Sequence, residues 1–185
     1  MRKAVPTIQQ MEAVECGAAG LAMVLAYYGC WLPLERLRIL CGVSRDGSKA
    51  NNLLKAARHL GMSARGFRKE PAELESLPTP SIIHWNFNHY VVFEGFKDGR
   101  AWINDPASGP RSVSKEELNE SFTGVVLVFE PTAEFKTTTR PGWIKDLLQH
   151  LQHSKLGLAF VTLVTIMLIV PGLVIPTLSK VFIDD

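Results

Sequence analysis

Within the first 130 residues hydrophobic periodicity changes character close to Gly61, and that change sets the fold class. Before it, apolar residues recur at helical intervals; after it they alternate or cluster in short runs bounded by Gly, Pro, Asn and Asp. The first helical stretch is QMEAVECGAAGLAMVLAYYG, Gln10 to Gly29, with Leu21, Val24, Leu25 and Tyr28 on one side and Gly29 as a left-handed stop. A second covers Pro33–Cys41, with Leu34, Leu37 and Leu40 at helical spacing and Pro33 in its first turn. A third runs from Lys49 to Leu60, capped by Ser48, burying Leu53, Leu54, Ala57 and Leu60, and stopped by Gly61. Strands are predicted over Ser63–Phe67, Ser81–Trp85, His89–Phe96, Arg100–Asn104 and Gly124–Phe129, with Lys97-Asp98-Gly99 as a hairpin turn. Short helices are predicted over Glu70–Leu77 and Ser114–Ser121, the latter with Ser114 as N-cap and Glu117 three residues on. Helices first and antiparallel strands second give an α+β domain.

That domain is assigned residues 1–130 of 185. A net charge of +2 excludes a strong nucleic-acid field. Three cysteines, Cys16, Cys30 and Cys41, make no disulfide framework and suit a reducing cytoplasm. The opening MRKAVPTIQQ has no apolar run behind its basic residues and is not a signal peptide. Residues 131–142 are polar and Thr-rich and read as a linker. Residues 143–154 place Trp143, Leu147, Leu148 and Leu151 on one helical face, the pattern of a helix lying in a membrane interface. Within 155–185, the run Leu156–Leu178 carries no charge and is long enough to cross a bilayer, with Lys155 and Lys180 at its ends. Its length argues against a buried core helix, and Pro171 and Pro176 are tolerated in a spanning helix. Lys136, Arg140, Lys145 and Lys155 precede the span, whereas only Lys180, Asp184 and Asp185 are charged beyond it. That asymmetry puts the domain on the cytoplasmic side of the cell (inner) membrane.

Cys16 stands at the front of the first helix, facing its unpaired N–H groups and the positive end of its dipole, which favour a nucleophilic thiolate. An unpaired Cys there is otherwise one more small buried hydrophobe. A thiol nucleophile needs a base, an orienter for that base and an oxyanion donor, and candidates for all three exist. His89 opens a strand. Asp105 follows the partner strand across the hairpin and is held extended by Pro106. Gln10 lies in the loop leading to Cys16 and carries an amide N–H. His84 is a rival base, read as structural because nothing near it in sequence would orient it. His59, His150 and His153 have no thiol neighbour in sequence. Cys30 and Cys41 follow helix ends and look structural, and with His they give no zinc spacing, so no metal is expected.

QMEAVECGAAGLAMVLAYYG, HWNFNHYVVFEGF and NDPASGPRSVS together resemble the bacteriocin-processing cysteine peptidases, cysteine peptidase family 39, over Pro6 to Phe129. The resemblance implies a papain-like fold at the N-terminus of a peptide-exporting ABC transporter, cutting leader peptides after a double-glycine motif. It assigns Cys16 as nucleophile, His89 as general base, Asp105 as orienter and Gln10 as oxyanion donor. Glu12 and Glu15 stand where the family more often has Asp. GVSRDGSKANNLLKAA and GFRKEP resemble the subgroup exporting nitrile-hydratase-like leader peptides. The implied partners are a precursor peptide with a double-glycine-type leader, the membrane, and the remainder of an ABC transporter, homodimeric when full length. No nucleic acid is implied. The sequence contains no GxxxxGK[ST] phosphate loop. No cofactor is therefore expected in this chain, and ATP with Mg²⁺ only where a downstream ATPase domain exists. A chain stopping at Asp185 reads as a fragment or a truncated frame of such a transporter. Two other classes compete: a leader-docking domain that does not cut, and a scaffold for transporter assembly. Neither has a chemical need for Cys16, His89 and Asp105 together.

Overall fold

The structure, a computed structural model, describes residues 2–139, 157, 159–169 and 172. The chain divides into two compact units, Met1–Arg140 and Pro141–Asp185. In the first, a 3-10 turn (Ala13–Glu15) leads into α1 (Cys16–Tyr27), followed by α2 (Leu34–Leu40) and α3 (Ala50–His59). Then come β1 (Met62–Arg68), a 3-10 turn (Pro71–Ser76), β2 (Ser81–Trp85), β3 (His89–Lys97), β4 (Arg100–Asp105), β5 (Gly109–Val113), α4 (Lys115–Ser121) and β6 (Phe122–Pro131). Among the described residues the strands form one antiparallel sheet in the order β1-β6-β2-β3-β4-β5.

Both faces of this sheet are covered. Ile82, Val92 and Leu127 join Leu21, Leu25, Leu37 and Leu53 under the helices. Their neighbours Ile83, Val91 and Val126 point the other way, to Leu74, Phe93, Ile103 and Leu118. Strand side chains alternate between faces, so a strand covered on both sides reads as a continuous apolar run. That is why SIIHW, HYVVF and VVLVF lack a polar stripe. Each fully buried Leu or Ile contributes roughly 1.5–3 kcal/mol relative to exposure.

The helix α1 packs on β2 and β3 and is flanked by α2 and α3. Its apolar face is therefore not one-sided as the spacing predicts: every residue from Cys16 to Ala26 is buried. Small residues fill the crowded side. A Cβ on Gly17 would stand 3.1 Å from Leu53 and 3.3 Å from Ser48, so the bare glycine lets α3 close against the start of α1. Gly29, at φ +87°, ends the helix as expected.

Several local expectations are corrected. Lys49, not Ser48, occupies the N-cap of α3, and no side chain caps it. The Ser48 hydroxyl is instead buried without a hydrogen-bond partner. Pro33 is the N-cap of α2 rather than a first-turn residue. Glu70–Leu77 tightens into the 3-10 turn Pro71–Ser76. The strand β5 was not expected, because GPRSV has no alternation; pairing of Gly109 with Asp105 and of Val113 with Ala101 makes it an edge strand, where Pro110 is tolerated. The Ser114 cap holds, its hydroxyl accepting from the Glu117 N–H at 3.1 Å.

Two segments strap the unit together. Near the N-terminus, Arg2 pairs with the buried Glu94 at 2.7 Å, Val5 N–H donates to Glu94 Oε1 at 3.0 Å, and buried Asn104 donates to the Val5 carbonyl at 3.0 Å. After β6, the backbone does not leave the domain. Thr132 donates to the Gly61 carbonyl from its N–H (3.1 Å) and its hydroxyl (2.6 Å), and Thr138 N–H donates to the Gly29 carbonyl at 2.9 Å. Within the second unit, residues 159–169 are helical with mostly exposed side chains. Among the described residues no helix is long and apolar enough to cross a membrane. The interfacial helix expected over 143–154 lies outside the described residues, and so does most of the rest of 155–185.

Candidate active site

Cys16 opens α1 and His89 opens β3, and the packing of α1 across β3 brings these two beginnings together. Cys16 is only 5% exposed. The His89 ring is held between two partners. Its Nε2 lies 2.8 Å from Asp105 Oδ1. Its hydrogen bond with the Cys16 side chain is the largest influence raising its pKa; burial works against it, and Asp105 adds to the rise, giving about 9. The imidazolium form is thus favoured beside the sulfur.

Asp105 is prepared for this role by its own loop. Burial alone would raise its pKa, but hydrogen bonds from His89, the Ala107 N–H and the Ser108 hydroxyl together hold it below the ordinary carboxylate range. The Ala107 bond is 2.8 Å and the Ser108 bond 2.9 Å. A carboxylate so fixed accepts the His89 N–H in one direction and sets its tautomer. As expected, His89 opens its strand, and although β3 lies inside the sheet the ring sits at the strand's beginning.

Gln10 is brought to the same place by backbone contacts. Its N–H donates to the Pro106 carbonyl at 3.0 Å, joining the loop before α1 to the loop that carries Asp105. The Gln10 carboxamide oxygen is buried without a partner. The Cys16 N–H lies nearby at the first turn of α1, where backbone N–H groups have no intrahelical acceptor.

The rival groups are occupied elsewhere. His84 Nδ1 lies 2.9 Å from Thr123 Oγ1, whose hydroxyl donates to the His84 carbonyl, and the ring leans on Tyr90. Burial, then the charge of His89, push the His84 pKa down. Burial pushes the Cys41 thiol up to about 12, which leaves it inert at neutral pH. Among the described residues no group of three or more His, Cys, Asp or Glu side chains is placed to hold a metal ion. Two surface cavities of 490 and 510 Å³ around Pro71 include none of Cys16, His89 and Asp105.

Sequence reasoning missed the supports. Glu94 and Asn104 are fully buried, and their hydrogen bonds to Val5 and Thr7 fasten the segment that ends in Gln10. A lone Glu within HYVVFEGF was the available signal, since an unpaired charge in a buried strand is costly. Tyr90 was missed too. Burial, then the charge of Cys16, raise its phenol against a hydrogen bond with the Ala50 backbone, which places it between the thiol and α3.

Known proteins carry related sequences and folds. The chain is 34% identical over 185 residues to the colicin V secretion/processing ATP-binding protein CvaB of Escherichia coli, covering 99% of this chain and 26% of that one. It is 36% identical over 135 residues to the lactococcin-G-processing and transport ATP-binding protein LagD of Lactococcus lactis, covering 70% of this chain and 19% of that one. The chain thus spans about a quarter or less of the curated relatives it matches. Among solved structures, a double glycine motif protease from an AMS/PCAT transporter, in complex with the leader peptide, matches with TM-score 0.69 and 60% identity, over 71% of this chain and 94% of that one. The peptidase domain of Streptococcus ComA, a bifunctional ABC transporter, matches with TM-score 0.64 and 28% identity, over 68% of this chain and 97% of that one. Residues 4–134, which hold Gln10, Cys16, His89 and Asp105 and the residues that anchor both straps, match the Peptidase C39 family, and the chain belongs to that family.

Proposed function

We propose that this chain carries a thiol endopeptidase that removes a double-glycine-type leader from a ribosomally made bacteriocin or similar precursor, in step with its export by an ABC transporter. The observation that carries this reading is the His89 ring set between the Cys16 thiol and the Asp105 carboxylate. The Cys16 thiolate attacks the carbonyl carbon after the second glycine. Gln10 and the Cys16 N–H donate to the oxyanion. As the C–N bond breaks, His89 gives its proton to the leaving amine. Water then attacks the thioester carbonyl, its proton passing to His89, and the leader carboxylate leaves as the thiolate re-forms. Glycine is selected because a narrow opening at the 5%-exposed thiol rejects a Cβ.

The reading calls for no cofactor in this chain; ATP and Mg²⁺ enter only where a downstream ATPase domain exists. The partners are the precursor peptide, the remainder of the transporter, homodimeric when full length, and the membrane. The uncharged run Leu156–Leu178, helical where described at 159–169, supports a first transmembrane helix. The basic residues before it support a peptidase on the cytoplasmic face of the cell membrane. The subgroup resemblance points to cargo with a long, nitrile-hydratase-like leader.

Incubating the purified chain with a synthetic double-glycine leader peptide tests the proposal. Cleavage after the second glycine, lost in Cys16→Ala, is expected. Tight binding of a peptide that is recovered intact from the wild-type chain would instead support a leader-docking domain.

A further inference from the structure

Glu15 immediately precedes the nucleophile and is only 1% exposed. Its carboxylate does not turn toward the thiol's partners. Oε2 accepts from the Met11 N–H at 2.8 Å and from the Glu12 N–H at 3.0 Å. Oε1 faces Arg38 of α2, whose Nε lies 2.9 Å away. Arg38 also comes within 3.7 Å of Glu12. A residue that merely caps the 3-10 turn Ala13–Glu15 would need only the Glu12 N–H. The shorter bond here goes one residue further back, to Met11, next to Gln10 and outside the turn. Gln10 itself is fixed from its other side by the Pro106 carbonyl.

We infer that Glu15 is a positioning residue that acts through Gln10: its carboxylate, balanced by Arg38, grips the two N–H groups after Gln10 and fixes the oxyanion donor against the start of α1. Charge-assisted bonds to backbone N–H groups are strong and directional. The Gln10 side chain has no such restraint of its own, since its carboxamide oxygen is unpartnered. Its placement is inherited from the backbone on either side, Pro106 on one and Glu15 on the other. An oxyanion donor must lie about 2.7–3.1 Å from where the oxyanion forms, and a misplacement of about 1 Å costs roughly a hundredfold. Glu15 thereby couples α2, the loop before α1 and the nucleophile into one rigid part.

This inference rests on the peptidase reading for its kinetic consequences but not for its structural one. In Glu15→Gln, the amide has one oxygen for two tasks. With Arg38 present that oxygen is drawn to the guanidinium, and the amide N–H₂ is turned toward the Met11 and Glu12 N–H groups. The double variant Glu15→Gln with Arg38→Gln frees the oxygen to return to the loop. Three measurements follow. Amide hydrogen exchange at Met11 and Glu12 accelerates in the single variant and is again slow in the double one. The kcat for leader cleavage falls about tenfold or more in the single variant, the scale of a misplaced oxyanion donor, with KM little changed and recovery in the double variant. Alkylation of Cys16 by iodoacetamide, which forms no oxyanion, keeps its wild-type rate in both.

Unchanged exchange at Met11 and Glu12 in the folded single variant overturns the inference, whether or not the chain cuts peptides. So does alkylation that falls in parallel with kcat, which would assign Glu15 to the thiol, or a folded double variant without recovery. If the single variant does not fold, the double variant decides: slow exchange at Met11 and Glu12 supports the grip, and fast exchange in a folded chain overturns it. Failure of the peptidase reading is a separate result: a wild-type chain that leaves the leader intact while Met11 and Glu12 stay protected.

Discussion

His89 Nε2 stands 2.8 Å from Asp105 Oδ1, and that same oxygen accepts the Ala107 N–H at 2.8 Å. The acceptor is therefore immobilised before the imidazole reaches it. With its pKa raised from 6.5 to about 9, His89 stays protonated across neutral pH. Leader cleavage should lose activity on an alkaline limb near pH 9, and Asp105→Asn should move that limb to lower pH. The sign for stability follows. A raised folded-state pKa contributes stability that is full below pH 6.5 and is lost as pH rises through about 9. Thermal unfolding of wild type and His89→Ala across that window should converge at its alkaline end.

Cys16→Ala should abolish leader cleavage with the fold retained, because the site of the change is small and already crowded by small residues. His89→Ala should cost about 10³-fold or more, since one ring serves both proton transfers. Asp105→Asn should be intermediate, about 10²-fold, because it removes orientation and charge but no bond-making atom. His84→Ala should keep most activity, as that ring bonds Thr123. Rate constants for the four variants check the order; a dead His84 variant beside an active His89 variant would reverse the assignment of the base.

Gly61→Ala should be strongly destabilising. Its φ is +82°, and a Cβ there would fall 2.9 Å from the Glu134 and Phe135 backbone. Gly99, at φ +72° with nothing within 4 Å, is the control. Gly99→Ala should cost about 1–2 kcal/mol from backbone conformation alone. Urea denaturation should show Gly61→Ala losing clearly more than that, with the segment 132–138 becoming sensitive to protease.

Asn104→Leu should cost about 1–3 kcal/mol, because it leaves the Val5 carbonyl and Glu94 without their buried partner. It should also reduce cleavage, since the arm it fastens ends in Gln10. Urea midpoints measured beside kcat would check both.

The proposed topology predicts that Cys16 in intact cells resists a membrane-impermeant thiol reagent and reacts after permeabilisation. Labelling of intact cells would place the domain outside and overturn processing before export.

The helices, the hairpin at Asp98-Gly99 and the Cys16, His89, Asp105 set were legible because each has a local signature: periodicity, a turn dipeptide, or chemistry next to a strand end. What was not legible depends on pairing across long sequence distances. β5 has no pattern of its own and exists because β4 presents a free edge to GPRSV. Ser48 looked like a cap, but it packs beside Gly17 at the start of α1 with its hydroxyl buried and unpartnered. The Thr-rich stretch from Thr132 to Thr138 has linker composition, yet the carbonyls of Gly29 and Gly61 hold it down. The part of the expected linker beyond 139 lies outside the described residues. Glu94 and Asn104 are polar for the sake of Val5 and Thr7, some ninety residues earlier, which no local window contains.

The N-terminal strap has a consequence for synthesis. A ribosome makes Gln10 and Cys16 among the first residues, but the anchors that hold the arm, Glu94 and Asn104, are made about ninety residues later. The base and its orienter, His89 and Asp105, emerge in that same late stretch. A nascent chain therefore carries the Cys16 thiol through at least 73 further residues before His89 is made, and 89 before Asp105. Folding of the site waits on long-range closure, and the sheet that carries it is complete only when β6, which lies between β1 and β2, has followed β4 out of the ribosome.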